Sequence, residues 1–436
     1  MNPKTAIIVG AGHRALLYAS YSKKAPEKLK IIGVADPNPL RREAAAKLFG
    51  FGPEMCFESA ETLAREGRIA DFIINGTMDH QHLPTSRPLL ELGYDMLLEK
   101  PFAVSEAEVF ELLELSRRYG NTVMICHVLR YAPFYRGIKD VILSGEIGDV
   151  YDIQMSELVS YHHVAVSFVR GKWGNQIKCH APMLLAKCCH DIDLMVWLKG
   201  KRPEFVSSFG GTFIFDPAKK PPGSGKRCML DCDLVDDCLY SAKGHYIDHP
   251  DRWFFYVWDC LEHIENPTIE DKIESLRTDN IHGRCVWDCD HDNVDHQVVM
   301  VQFEDGATAT LHMTGGTAKG DRSIHIVGTR GEIIGSFDDA AFTVRTIVPS
   351  APTGFHERRV CFEEFSDTTG AFGAHGGGDI LLVEDFVNRL NGEPESISAT
   401  TIADSVLGHL LVFAAGEARA SMQVVDLRPR LAEHGL

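Results

Sequence analysis

The sequence predicts an α/β protein in two parts: a doubly wound parallel sheet, then a C-terminal α/β domain with a large, mostly antiparallel open sheet. Three observations lead there. Short apolar runs alternate with helical stretches over the first 126 residues, the first run (Ile7-Ile8-Val9) ends in the turn Gly10-Ala11-Gly12, and later extended runs follow one another through short turns.

The first strand and its turn have a physical reading position by position. Gly10 lets the chain turn sharply out of the strand. Gly12, lacking a side chain, lets backbone N–H groups approach an anion at the start of the next helix, expected over residues 16–24, and Ala15 is small enough to keep helix and strand close. A second apolar run, 31–35, ends at Asp36, the spacing of a dinucleotide-binding unit. Gly10, Gly12, His13, Arg14 and Ala15 would then meet the pyrophosphate, and Asp36 the ribose hydroxyls. The charge of Asp36 repels a 2′-phosphate, so NAD is expected ahead of NADP. Asn38 caps and Pro39 opens a helix that ends at Gly50. Arg41 and Arg42 lie in its first turns, where an arginine covers an adenine, binds a phosphate or lies on a solvated face.

Apolar runs at 72–74, 97–98 and 123–126, with helical stretches at 59–65, 85–92 and 105–119, complete the first domain, residues 1–126. Beyond it, 149–160, 204–215, 297–303, 307–313, 323–327 and 332–336 read as extended segments. Helices are expected at 380–390 and 403–420, and 217–225 is a Pro/Gly/Lys loop. No internal repeat is visible.

Composition narrows the class. A 436-residue chain that is 44% hydrophobic is long enough for two cores. Its net charge of −17, from 44 basic and 61 acidic residues, argues against a basic groove for nucleic acid. No apolar run approaches a membrane span, and residues 6–9 run straight into the glycine turn without a secretory leader, so a cytoplasmic protein is expected. Most of the twelve cysteines read as reduced thiols.

Glu99-Lys100-Pro101 stands at the end of an expected parallel strand, where ligands of such sheets sit. Together with Thr77-x-x-x-x-His82, Arg130-Tyr131 and His190-Asp191-Ile192-Asp193, it makes the chain resemble the Gfo/Idh/MocA oxidoreductases over nearly its whole length. The resemblance implies a Rossmann NAD-binding domain, a substrate-binding and oligomerisation domain over 127–436, a nicotinamide nucleotide at their junction, and a sugar, glycoside or cyclitol as substrate. It implies that Thr77, His82, Glu99, Lys100, Arg130 and Arg41 surround the cofactor, with a cis Lys100–Pro101 bond aiming the ammonium at the nicotinamide. Lys100, His190 and Asp193 are then the expected catalytic residues. A homo-oligomer would cover the open sheet face.

Removing hydride from a secondary alcohol needs a base for the hydroxyl proton, and Lys100 or His190 can serve. Asp193 follows His190 on the same helical face. One departure stands out: relatives often carry an aspartate four residues before this histidine, and here that residue is Ala186, with Lys187 beside it. Lys187 lowers the pKa of Lys100, grips an anionic substrate group, or simply lies exposed at the helix start. His163, Arg170, Trp173 and His375 are further substrate-contact candidates, with Asp379 a helix cap after 376–378. Cys228, Cys232 and Cys238 raise structural zinc, against free thiols. Two other functions fit the same motifs: an NAD-retaining glycoside hydrolase working by transient C3 oxidation and elimination, and a non-catalytic nucleotide sensor.

Overall fold

The computed structural model describes residues 2–249, 254–362 and 375–436. Six strands, β1 (Lys4–Val9), β2 (Leu29–Ala35), β3 (Cys56–Phe57), β4 (Phe72–Asn75), β5 (Asp95–Leu98) and β6 (Val123–Ile125), form one parallel sheet in the order β3-β2-β1-β4-β5-β6. Ile7, Ile8, Ile73, Ile74, Leu97 and Leu98 are fully buried, as strands covered on both faces require. The strand order reverses between β1 and β4. The crevice beyond their carboxyl ends is where a sheet of this topology takes a ligand, and the glycine turn opens onto it.

The second sheet holds β7 (Val150–Ser160), β8 (Pro203–Gly211), β9 (His296–Phe303), β10 (Thr308–Thr317), β11 (Asp321–Gly328), β12 (Gly331–Ser336), β13 (Ala341–Ile347), β14 (Phe355–Cys361) and β15 (Val425–Asp426). Its order is β14-β13-β12-β11-β7-β10-β9-β8-β15, antiparallel except where β7 runs parallel to β10. The helices Cys189–Lys199 and Ile402–Ser421 pack together and against its strands β7 and β8. The expected strand 204–215 stops at Gly211, because Asp295 Oδ2 accepts from the amides of Phe213, Ile214 and Phe215 (2.8, 2.5 and 3.3 Å) and draws the chain out of the ladder. The helix expected over 16–24 is two, His13–Ala19 and Tyr21–Lys24.

The two chain halves share a core. In the helix Gly378–Leu390, Leu382, Val383, Phe386 and Val387 are buried in one cluster with Ala6, Ile8, Phe72 and Ile74 of the first sheet, and the Phe386 ring meets Phe72 edge-on at 5.0 Å. Thr400 O also accepts from Ile125 N (2.8 Å) beside β6. The described residues between β8 and β9 build a small body of their own, here called the 212–295 body, around Cys228, Ala242, Tyr246, Val257 and Leu276, closed by Val166.

Phe386→Ala leaves a cavity under the first sheet and is expected to cost about 3–5 kcal/mol. Urea unfolding followed by near-ultraviolet circular dichroism reads it, and an unshifted midpoint would show that this helix does not support the sheet.

Candidate active site

Gly10 sits at φ +79°, and a Cβ there would lie 2.8 Å from Thr77 N, so the turn admits only glycine without displacement of the β4 loop. Gly12 precedes the helix His13–Ala19, and a Cβ on it would meet nothing nearer than Gly76 O at 4.0 Å. That leaves room for a ligand against the turn. Ala15 is fully buried, and a Cβ on Gly76 would fall 2.8 Å from its own, which is the close helix–strand approach the small residue permits. Asp36 is buried, its Oδ2 accepting from Ala11 N and its Oδ1 from Asn38 N, both at 2.8 Å. It therefore braces the turn while keeping lone pairs for further donors.

The reacting end is built around β5. Glu99 is buried, with Oε1 accepting from Arg14 Nε (2.9 Å) and the Tyr18 hydroxyl (2.7 Å), and Oε2 from Lys100 N (2.5 Å). Burial pushes its pKa up, but Arg14 and Lys100 outweigh that and hold it below the ordinary value. The Lys100–Pro101 bond is cis. His82, fully buried, bonds Pro101 O at 2.8 Å and Thr77 O at 3.2 Å, tying the lysine loop to the loop beneath the glycine turn. Lys100 Nζ donates to the main-chain oxygen of Ala186 (2.8 Å).

From there the helix Cys189–Lys199 brings in His190, which is buried with neither ring nitrogen hydrogen-bonded among the described residues. The rings of His127 and His375 lie 5.7 and 5.5 Å from it. Burial, then the charge of Lys100, pushes the His190 pKa well below the usual imidazole value; the same holds for half-buried His163, where burial is followed by Lys187. Lys187 Nζ pairs with Glu157 (3.1 Å), and Arg322 Nε pairs with both Glu157 (2.6 Å) and Asp191 (2.9 Å). Lys100, His163, Lys187, His190 and His375 thus form one neighbourhood.

Several expected residues lie elsewhere. Asp193 does not turn to His190: at 2% exposure it is gripped by Arg130, Nε to Oδ2 at 2.7 Å and Nη2 to Oδ1 at 2.6 Å, because a carboxylate in so apolar a helix needs a cation. Arg130 gives a further donor to Ala399 O (2.9 Å). Arg170 is fully buried, donating to Arg284 O (2.6 Å) and Tyr240 O (2.5 Å), and holds the 212–295 body together rather than lining a pocket. Arg14 turns from the turn toward Glu99 and Asp379. Asp379 caps nothing: its carboxylate takes Arg14 and His375 Nδ1 (3.1 Å), and Gly377 holds the cap position of its helix. Arg41 pairs with Glu262, and His13 with Asp259 (3.3 Å). Trp173 donates from Nε1 to Asp79 (3.1 Å) at the crevice, with the Lys172 ammonium 4.3 Å from its ring centre. Cys228 lies against Arg170, and among the described residues no group of three Cys, His, Asp or Glu side chains, Cys228, Cys232 and Cys238 included, is arranged to hold a metal.

Residues the sequence reading passed over include His127, Glu157, Asp259, Glu262 and Arg322, and Lys172, which solvent reaches although the surrounding protein lowers its pKa by burial. Nothing local marks His127, Glu157, Asp259, Glu262 or Arg322, whose partners are distant in the chain.

Residues 4–127 match the oxidoreductase family's NAD-binding Rossmann fold and residues 139–427 its C-terminal alpha/beta domain. The chain belongs to the Gfo/Idh/MocA oxidoreductase family. A Bacillus subtilis (strain 168) protein named as an oxidoreductase, YteT, is 25% identical over 399 residues, 88% of each chain. The inositol 2-dehydrogenase of Corynebacterium glutamicum is 21% identical over 196 residues, 45% of this chain and 54% of that one. Levoglucosan dehydrogenase in complex with NADH superposes with a TM-score of 0.70 at 17% identity, covering 98% of this chain and 99% of that one. This Gfo/Idh/MocA protein is an NAD-dependent oxidoreductase, and the open backbone at Gly12 leaves room for a dinucleotide against the glycine turn.

Two predictions come from these buried charges. Asp193→Asn strands the Arg130 guanidinium and is expected to cost about 3–5 kcal/mol in urea unfolding; a loss confined to turnover would instead restore a catalytic role. His127, His163, His190, His375 and His409 all have pKa values lowered, by burial first. Below the unfolded imidazole pKa of about 6.5 the unfolded chain takes up protons that the fold refuses, so stability falls as pH drops from 6.5 and levels only once the folded groups protonate. The urea midpoint should decline between pH 7 and 5; a flat midpoint would contradict the buried neutral histidines.

Proposed function

We propose that this oxidoreductase uses NAD, in preference to NADP, to oxidise a secondary hydroxyl of a sugar, glycoside or cyclitol. The observation that carries the reading is His190, a buried imidazole with both nitrogens unpaired beside the Lys100 ammonium. Such a group costs about 1–3 kcal/mol while unsatisfied, and a substrate hydroxyl relieves it. Bound NAD supplies the hydride acceptor. The chain's own residues do the rest: His190, neutral at physiological pH, takes the hydroxyl proton, and Lys100 donates an N–H to the same oxygen and holds it in place. Lys187, His163 and His375 present further polar groups around the ring of a polyhydroxylated substrate, consistent with relatives named for levoglucosan and inositol. Asp36 accepts the ribose hydroxyls. The exposed Tyr151, Phe209 and Met300 on the second sheet suit a second copy of the chain.

A retained-NAD glycosidase is the second reading, favoured by the contacts of Asp259 and Glu262 across the nucleotide crevice, which would slow cofactor exchange. A panel of free sugars, cyclitols and aryl glycosides separates the two: NADH absorbance at 340 nm marks a dehydrogenase, and aglycone without net NADH marks the glycosidase. Neither product with any substrate would leave only the sensor reading. Lys100→Ala should lower turnover by about 10²–10⁴-fold while NAD still binds; undiminished turnover would remove Lys100 from the chemistry.

A further inference from the structure

Three donors converge at the start of the helix Pro39–Phe49. Arg41 Nε lies 3.0 Å from Glu262 Oε2, Arg41 Nη2 3.2 Å from Glu262 Oε1, and Asn38 Nδ2 3.0 Å from the same Oε1. This is an anion site, two nitrogens of a guanidinium fork and an amide, filled by a carboxylate from the same chain. It stands two residues past Asp36, the end of β2 at which the ribose of a dinucleotide is recognised in this topology. Arg42, the neighbouring arginine, is already committed to the carbonyls of Asp36 (2.6 Å) and Pro37 (3.1 Å).

The carboxylate comes from the body between β8 and β9, more than two hundred residues away. It is not the only point of attachment. Asp259 pairs with His13 Nε2 across the crevice (3.3 Å), so the two acidic residues bridge from that body to the glycine turn and to the ribose end. The pairs are about two-fifths exposed, too wet to matter much for stability. Their effect is on which charge the site accepts.

We propose that Glu262 determines cofactor specificity by occupying, with its own carboxylate, the Arg41–Asn38 site that would otherwise bind the 2′-phosphate of NADP. The inference rests on the NAD reading above and goes beyond it. Asp36 disfavours the phosphate by charge, as its position alone suggests. Glu262 does so in addition by occupying the Arg41 guanidinium and adding a second negative charge. Freed of Glu262, Arg41 and Asn38 become a phosphate clamp.

The test is binding of NAD⁺, NADP⁺, ADP and 2′,5′-ADP to the purified full-length wild type, Glu262→Gln and the double variant Arg41→Ala/Glu262→Gln, by calorimetry at fixed ionic strength. The wild type should bind the 2′-phosphorylated member of each pair at least tenfold more weakly. Glu262→Gln should narrow both ratios by tenfold or more, and removing Arg41 as well should restore the gap. Ratios that are unchanged in Glu262→Gln, or narrowed equally in the double variant, would overturn the proposal while leaving NAD use intact. A wild type that binds none of the four nucleotides would overturn the cofactor reading itself, and this proposal with it.

Discussion

The guanidinium of Arg14 is the contact on which the site depends. It leaves the helix that follows the glycine turn, meets Glu99 at the end of β5, and meets Asp379 at the start of the helix Gly378–Leu390. Three segments, drawn from both halves of the chain, are thereby fixed to one cation. Burial opposes its charge, yet the two carboxylates and Tyr18 hold its pKa well above the ordinary value, and Asp379 is held well below its own by Arg14 and His375 against the same burial. An ion triad of this kind, its two carboxylates buried and its arginine 29% exposed, contributes little net stability against an apolar substitute, but removing one member leaves the others uncompensated. Its value is positional: Glu99 then takes the amide of Lys100, and Asp379 takes His375, so the backbone of one candidate group and the imidazole of another are set by the same arginine.

The second cluster repeats the principle with a different outcome. Lys187, Arg322, Glu157 and Asp191 carry two positive and two negative charges in close contact, three of the four side chains being nearly inaccessible. Burial and Glu157 push the Asp191 pKa up against the pull of Arg322 and Lys187. Lys187 is the member that stays partly open, at 17% side-chain exposure. Paired with Glu157, it enters the pocket as half of a neutral pair rather than as a bare cation, which weakens the case for an anionic substrate group and suits hydroxyls that can both accept from it and donate to a neighbour.

The fold was legible because its signals are local. A strand, a glycine turn and a carboxylate at fixed spacing report φ angles and close approaches that only those residue types satisfy, and Gly10, Ala15 and Asp36 meet neighbours in the geometry their types implied. The long helices and the strands from β7 through β12 announced themselves by apolar periodicity. β14 did not, because Phe355–Cys361 is a largely exposed, charged strand beyond β13, with no buried face to leave a pattern. The site was legible in membership and not in pairing. Lys100, His163, Lys187, His190 and His375 could be gathered from motifs and residue types. That Arg130 would take Asp193, Arg170 the carbonyls of residues 240 and 284, and Arg41 the carboxylate of Glu262 depends on tertiary approach across 63, 70, 114 and 221 positions, and a lone arginine in a sequence looks the same whichever partner it finds.

Alanine at position 186 bears on which group moves the proton. A carboxylate there would stabilise the Lys100 ammonium and share its charge; the main-chain oxygen that Lys100 meets instead accepts one hydrogen bond and brings no charge. Two donors of the ammonium therefore remain for a substrate oxygen, and developing negative charge on that oxygen would meet a nearly undiminished cation. His190 is complementary. Burial, Lys100 and the neighbouring histidines keep it neutral, with a free nitrogen able to accept. On the proposed reading, His190, which burial and its neighbours hold neutral, removes the hydroxyl proton while Lys100 holds the oxygen. With alanine at 186, the proposed reading divides the acid–base roles between Lys100 and His190 and keeps both in the site.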